Sequence, residues 1–160
     1  MNYHNITHDD MLNGDGLRVV LFVSGCDHNC KGCQNPQTHP IDSGILFDDA
    51  AKSEIFNELS KPYISGITFS GGDPLHSSNI HTIRELVEEI NDKFPEKTIW
   101  LYTGLTADEC RENSSADMNY ILHNIDVLVE GRFIEELSDI NTPWVGSTNQ
   151  SVIYLKNRKI

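Results

Sequence analysis

The sequence contains no apolar run long enough to cross a membrane. Its longest apolar run, 19–23, is far shorter than the roughly 20 residues that span a bilayer. The N-terminal segment Met1-Asn2-Tyr3-His4 has neither the basic part nor the apolar part of a signal peptide. These absences predict a cytoplasmic protein that does not bind membranes.

Positive charge is also scarce. Lysine and arginine together number 12 against 24 acidic residues, so the formal net charge is −12. Because nucleic-acid binding needs positive charge to neutralise phosphates, this balance disfavours a nucleic-acid partner. Acidity is typical of a soluble protein, and it leaves open an acidic face that docks on a protein partner.

The order of the predicted elements indicates an α/β domain. The chain has 160 residues without an internal repeat or linker, so we predict a single domain over 1–160. Apolar runs that end in glycine alternate with amphipathic segments. We predict strands at 18–24, 66–70, 98–103, 125–130 and 151–155, and helices at 48–59, 78–94, 106–111 and 118–123.

This alternation favours parallel βα units. A complete eight-stranded barrel needs about 250 residues. The chain is therefore expected to form an open, partial (β/α) barrel or a short sheet, with mainly parallel strands.

Three of the four cysteines lie in one short segment, C-D-H-N-C-K-G-C, which holds Cys26, Cys30 and Cys33. Three thiolates at this spacing can bind three irons of a cubane cluster and leave the fourth iron open. The alternative is a structural zinc site completed by His28 or by a distant ligand. Structural zinc usually shows two separated ligand pairs, so the spacing favours the cluster. Cys110, in a predicted helix, is interpreted as structural.

Four unusual segments each follow a predicted strand. Ligands bind at the carboxyl ends of strands in parallel α/β folds, so these segments are expected to share one rim. They are the cysteine loop, Gly71-Gly72-Asp73-Pro74, Tyr102-Thr103-Gly104 and Gly131-Arg132-Phe133.

Each of these segments also has an ordinary interpretation. The Gly71-Gly72 pair is a good turn, but it also leaves backbone carbonyls open to a ligand ammonium group. Tyr102 and Thr103 are either plain strand residues or pocket residues. Glu130 ends a buried strand and needs a partner, for which a ribose hydroxyl or Arg132 is suitable.

Two further segments stay undecided. Arg18 opens the first strand, and it either neutralises nearby negative charge or forms a solvated edge. The polar segment Gly146-Ser147-Thr148-Asn149-Gln150 is either a hairpin turn or a ligand-facing lip.

Taken together, these motifs resemble the radical S-adenosylmethionine enzymes. The cysteine spacing after one strand and G-G-D-P after the next are typical of that superfamily. The string N-G-D-G-L-R-V-V-L-F-V-S-G-C-D-H-N-C-K-G-C-Q-N-P is similar to the activating proteins of anaerobic (class III) ribonucleoside-triphosphate reductase. F-S-G-G-D-P-L, L-Y-T-G and V-E-G-R-F extend this resemblance from about Asn13 to Gln150.

The resemblance implies a 4Fe-4S cluster held by Cys26, Cys30 and Cys33, with S-adenosylmethionine on the open iron. Gly71, Gly72 and Asp73 match the motif for the methionine amino group. Asn35 is expected to contact the ligand or the cluster, and Tyr102, Thr103 and Glu130 complete the expected cofactor site.

The implied reaction begins with an electron from a flavodoxin-type or similar donor. That electron cleaves S-adenosylmethionine, and the resulting 5′-deoxyadenosyl radical takes hydrogen from a glycine of the reductase large subunit. The resemblance also implies a partial barrel of the radical S-adenosylmethionine type.

Two other functions remain open. One is activation of another glycyl-radical enzyme, such as pyruvate formate-lyase, which the cysteine loop does not distinguish. The other is a regulatory module that binds zinc or a cluster, in which the glycine segments are plain turns.

Overall fold

A computed structural model describes residues 1–155, and it shows one open, seven-stranded mixed sheet with helices packed against it. The predicted domain included 156–160, which lie outside the described residues. The strands are β1 (Asn2–Asp10), β2 (Arg18–Val23), β3 (Ile45–Leu46), β4 (Gly66–Gly71), β5 (Thr98–Tyr102), β6 (Val127–Glu130) and β7 (Ser151–Tyr154). The helices are α1 (Asp49–Leu59), α2 (Ile80–Lys93), α3 (Ala107–Glu112) and α4 (Ala116–Asn124).

The strands lie in the order β3-β1-β2-β4-β5-β6-β7. The central four, β2, β4, β5 and β6, are parallel, whereas β1, β3 and β7 pair antiparallel with their neighbours. The α/β class and the parallel centre are thus as predicted. The sequence analysis missed β1 and β3, and it gave no sign that β7 turns back antiparallel.

The main core forms between the helices and one face of the sheet. Ile83, Leu86, Val87 and Ile90 recur along α2 at helical spacing and are all buried. They belong to one apolar cluster with residues of the central strands, of α1 and of α4. This packing fixes the strands, and therefore the loops that follow them.

Side-chain caps set where the shorter helices begin. The Asp48 carboxylate accepts a hydrogen bond from the Ala51 amide at the start of α1, and the Ser115 hydroxyl accepts one from the Met118 amide at the start of α4. At α3, Thr106 and Glu109 form a reciprocal capping box. Helix α3 is thereby anchored directly after the Tyr102-Thr103-Gly104 segment.

The second face of the sheet is partly polar. Trp100, Val127 and Val129 form a small cluster there with Trp144 and Val145. Arg18 is fully buried, so the interpretation of Arg18 as a solvated edge is wrong. No helix among residues 1–155 is long and apolar enough to span a membrane.

Candidate functional site

The loop after β2 brings the three clustered cysteines to one cavity. Cys26, Cys30 and Cys33 are all unpaired, partly buried and part of its lining. The loop is held by backbone hydrogen bonds, from the Cys33 amide to the Cys30 carbonyl (3.2 Å) and from the Cys26 amide to the His39 carbonyl (3.0 Å). Three sulfur donors thus share one solvent-accessible space.

The surroundings of the sulfurs influence how readily the thiols ionise. Burial raises the pKa of the Cys26 thiol to about 11, and a backbone hydrogen bond from His28 opposes this shift. The backbone N–H of Asn35 donates to Cys33 Sγ at 3.4 Å. A coordinating metal ionises a thiol outright, so bound iron would overcome the effect of burial.

The zinc alternative needs a fourth ligand beside the three cysteines. Within residues 1–155, no group of three or more His, Cys, Asp or Glu side chains is arranged to hold a metal ion. The ligands of a cubane cluster bind different irons, so they need not surround a single ion. His28, which the zinc alternative would use, donates from Nε2 to the Asp73 carboxylate at 2.7 Å.

The end of β4 forms a second part of the cavity lining through Gly71 and Gly72. Gly71 has φ +103°, and a Cβ there would lie 2.5 Å from the backbone nitrogen of Val23. Only glycine fits this conformation and this close approach without displacement. The sequence predicted that no side chain lies between the backbone and a ligand here. At Gly71 the close approach of the Val23 backbone explains why residue 71 has no side chain.

The end of β5 supplies Tyr102, Thr103 and Gly104 to the same cavity, and Asn35 also lines it. The Tyr102 hydroxyl is buried without a hydrogen-bond partner in the described structure, and burial raises its pKa. The Thr103 hydroxyl bonds to the Asp73 carboxylate at 2.9 Å. The four-segment rim predicted from the sequence thus brings together most of the expected cofactor residues.

The two predicted acidic residues lie behind the lining. Asp73 is 3% exposed, and its carboxylate is engaged by His28, Thr103 and backbone amides. Glu130 accepts from the Ala107 amide at 2.9 Å, at the start of α3. Arg132, its suggested partner, pairs with Glu109 instead.

The cavity has a volume of about 420 Å³, and segments whose role the sequence did not decide also line it. Gly146 and Gln150 line it, so the late polar loop is a lip of the cavity. Trp144 and Phe133 also line it, as do His28 and His39. In the sequence, only the neighbouring cysteines indicated that His28 belongs to the site. No sequence motif indicated that Trp144 lines the cavity.

Cys110 does not join the other cysteines. It lies in α3, is 1% exposed and belongs to the main core. Burial raises the pKa of its thiol to about 12. Its interpretation as a structural residue agrees with this position.

A family comparison identifies the class of this site. The model of the family described as "4Fe-4S single cluster domain" matches residues 12–153, nearly the whole chain. This class agrees with a chain in which three cysteine thiols line one cavity at the ends of parallel strands.

Comparison with individual proteins narrows the class. The anaerobic ribonucleoside-triphosphate reductase-activating protein of Escherichia coli K12 is 43% identical over 158 residues, 98% of this chain and 100% of that protein. That of Haemophilus influenzae is 42% identical over 154 residues, 95% and 97% of the two chains. That of bacteriophage T4 is 41% identical over 150 residues, 94% and 92%. The chain therefore belongs to the family of anaerobic ribonucleoside-triphosphate reductase-activating proteins, and the family assignment made from its motifs is confirmed.

Proposed function

We propose that this chain uses a 4Fe-4S cluster and S-adenosylmethionine to generate a glycyl radical on anaerobic ribonucleoside-triphosphate reductase. The observation that carries the proposal is the single cavity lined by three cysteines and by the glycine pair after β4. The names of full-length relatives support the same target. When bound, the cluster supplies the electron that cleaves S-adenosylmethionine, and the released radical removes hydrogen from a glycine of the reductase.

The residues around the cavity fit both groups. Cys26, Cys30 and Cys33 would hold the cluster, with one iron left for the cofactor. A cavity of about 420 Å³ lies in the size range of small-molecule sites. Gly71 and Gly72 would offer backbone to the methionine amino group.

Other lining residues have more specific tasks. The Asn35 backbone N–H would donate to the sulfur of a cluster ligand, Cys33, where such hydrogen bonds tune the metal. The buried Tyr102 hydroxyl is suited to a polar atom of the ligand, since it has no described protein partner. Thr103 is committed to Asp73 and would shape the wall.

Asp73 and Glu130 would act from behind this lining. Asp73 joins the segments that form the walls, and Glu130 fixes the start of α3. We assign both to support of the cofactor site, in place of the direct contact expected from the sequence. The open sheet with its parallel centre would correspond to the partial barrel of a single radical S-adenosylmethionine domain.

The electron would come from a separate protein. Besides the three clustered cysteines the sequence has one more, Cys110, and it is buried in the core. The chain therefore lacks cysteines for a second cluster that could relay electrons internally. A flavodoxin-type or similar donor meets this need, and unpaired cysteines suit the reducing cytoplasm.

The target chain would approach over an apolar rim at the cavity mouth. Met11 is 67% exposed, Leu12 is 82% exposed and Ile140 is 97% exposed, yet all three line the cavity. Exposed apolar groups beside a reaction site are typical of a protein-binding surface. We refer to these three residues as the apolar rim.

The test is anaerobic reconstitution with iron and sulfide, followed by reduction and addition of S-adenosylmethionine. We expect 5′-deoxyadenosine, and a glycyl radical signal when the reductase is added. Alanine at Cys26, Cys30 or Cys33 should abolish both products, whereas Cys110→Ala, the matched control, should retain them. Stoichiometric zinc without 5′-deoxyadenosine would contradict the proposal, and a radical formed only on another glycyl-radical enzyme would contradict the assigned target.

A further inference from the structure

The Asp73 carboxylate joins three separate parts of the cavity wall. It bonds to His28 Nε2 of the cysteine loop at 2.7 Å. It accepts from the Thr103 hydroxyl at 2.9 and 3.0 Å and from the Gly104 amide at 3.1 Å, both after β5. Its own loop adds the Leu75 amide at 2.9 Å.

This carboxylate is nearly inaccessible to water. The Asp73 side chain is 4% exposed, and among residues 1–155 His28 is the only basic side chain within 4 Å of its carboxylate. Hydrogen bonds to a buried charged acceptor are stronger than neutral ones, and losing a donor leaves an unsatisfied buried group. The carboxylate therefore holds its partners in a narrow range of positions.

His28 is placed to transmit that constraint to the cysteine loop. It lies between Cys26 and Cys30, and its side chain is 14% exposed. Its ring packs directly on Gly104, where a Cβ would lie 2.3 Å from His28 Cδ2. The ring thus fills space that exists because residue 104 is glycine.

We propose that His28 is a positioning residue, which fixes the cluster-binding loop against the opposite cavity wall through Asp73 and Gly104. The inference rests on the proposed function. In this role His28 sets the distance and the angle between the cysteine loop and the cofactor. Reacting groups that are displaced by about 1 Å can lose about a hundredfold in rate.

The loop has other ties to its surroundings. The Gly25 carbonyl accepts from the Asp73 amide at 2.8 Å, Asp27 pairs with His76, and Lys31 pairs with Glu135. Only the His28 ring, among these links of the described residues, also reaches the end of β5, where it packs on Gly104. Loss of this link should loosen the relation between cluster and cofactor while the three sulfur ligands remain.

The test compares His28→Leu, which removes the ring nitrogens, with His28→Gln, whose amide nitrogen can still donate to Asp73. The control is His81→Leu, since His81 is an exposed histidine on α2. Each variant is reconstituted anaerobically and analysed for iron and for the electron paramagnetic resonance spectrum of the reduced cluster with and without S-adenosylmethionine. The ratio of glycyl radical to 5′-deoxyadenosine is then measured.

We expect His28→Leu to keep its iron, to show a weaker spectral response to S-adenosylmethionine, and to lose about tenfold or more in the product ratio. His28→Gln should recover most of both signals, and His81→Leu should match the wild type. An unchanged spectrum and ratio in His28→Leu would overturn the proposal. So would a loss of iron, because that would make His28 a ligand or a folding residue.

A second variant guards against misfolding of the first. Gly104→Ala displaces the His28 ring sterically without substituting His28 or Asp73, and the same spectral and ratio changes are expected. A wild-type response in Gly104→Ala would count against the proposal. Failure of the wild-type chain to form 5′-deoxyadenosine would instead refute the proposed function, so the two failures are distinguishable.

Discussion

Arg18 and Thr98 are joined by two hydrogen bonds although β4 lies between their strands. Arg18 Nη1 donates to Thr98 Oγ1 at 3.0 Å, and Nη2 donates to the Thr98 carbonyl at 2.8 Å. The guanidinium also donates to Thr68 Oγ1, the Ile67 carbonyl and the Asp15 carbonyl. One fully buried side chain thus connects β2, β4 and β5 with the loop before β2.

Replacement of this guanidinium should destabilise the fold. Arg18→Lys leaves three donors where five hydrogen bonds now form, and each unsatisfied buried acceptor costs about 1–3 kcal/mol. We expect the free energy of unfolding of the apo-protein to fall by about 3 kcal/mol, measured by urea denaturation. The exposed Arg111→Lys should change it by less than about 0.5 kcal/mol, and equal losses in the two variants would contradict this role.

The backbone at Gly71 should tolerate no side chain. Gly71→Ala combines an unfavourable positive φ with a Cβ 2.5 Å from the Val23 backbone. Gly131 is a matched control, because its φ is +98° but its Cβ would meet no atom closer than 3.6 Å. We expect Gly131→Ala to cost about 1–2 kcal/mol in the same denaturation experiment, and Gly71→Ala to cost clearly more. Equal costs would show that the close approach has no effect.

The ion pair between Arg132 and Glu109 should give a measurable pH response. The two hydrogen bonds from Arg132 lower the pKa of Glu109 to about 2 from its ordinary 4.5. The pKa of Glu109 is lower in the folded state than in the unfolded state. The pair's contribution to stability is therefore complete above about pH 4.5 and is lost as the pH falls towards about 2. Both side chains are partly exposed, so this contribution is small.

An NMR titration of the Glu109 carboxyl carbon measures this effect. Arg132→Gln should return the midpoint towards the ordinary value, while Arg111→Gln should leave it low. A midpoint that stays low in Arg132→Gln would mean that the helix start, and not the ion pair, sets the pKa of Glu109.

The apolar rim should matter for the partner and not for the cofactor. We expect a double variant, Leu12→Ser with Ile140→Ser, to lower glycyl radical formation about tenfold at limiting reductase concentration. Cleavage of S-adenosylmethionine without reductase should stay within about twofold of the wild type, since neither residue belongs to the proposed cluster or cofactor contacts. Tyr63→Ser, at an exposed aromatic residue outside the cavity lining, is the control and should leave both rates unchanged. Parallel losses of both rates in the double variant would argue against docking.

The parts of the structure that local pattern determines were predictable from the sequence. The β-branched run of β2 and the helical spacing in α2 predicted both elements to within two residues at each end. Strand β1 was missed because its sequence, N-Y-H-N-I-T-H-D-D, is polar and buries only Ile6. It forms by antiparallel pairing with β2, which is a tertiary interaction.

The candidate site divides in the same way. The cysteine spacing marked the three thiols that line the cavity, and glycine after a strand marked the β4 end. The bonds of Asp73 link residues 45 and 30 positions apart in the chain. No local pattern contains that information, so the sequence analysis placed Asp73 with the cofactor ligands and could not assign its carboxylate to His28, Thr103 and Gly104.

Main-chain atoms make part of the contact between the cysteine loop and the β4 end. The Asp73 amide donates to the Gly25 carbonyl at 2.8 Å, and the Gly72 amide donates to the Val23 carbonyl at 2.7 Å. Main-chain bonds persist through most side-chain exchanges, but they shift whenever a residue is added or removed. Relatives can therefore diverge widely in side chains around this contact, whereas a one-residue insertion or deletion between Val23 and Cys26, or between Gly71 and Asp73, should be absent from every active member.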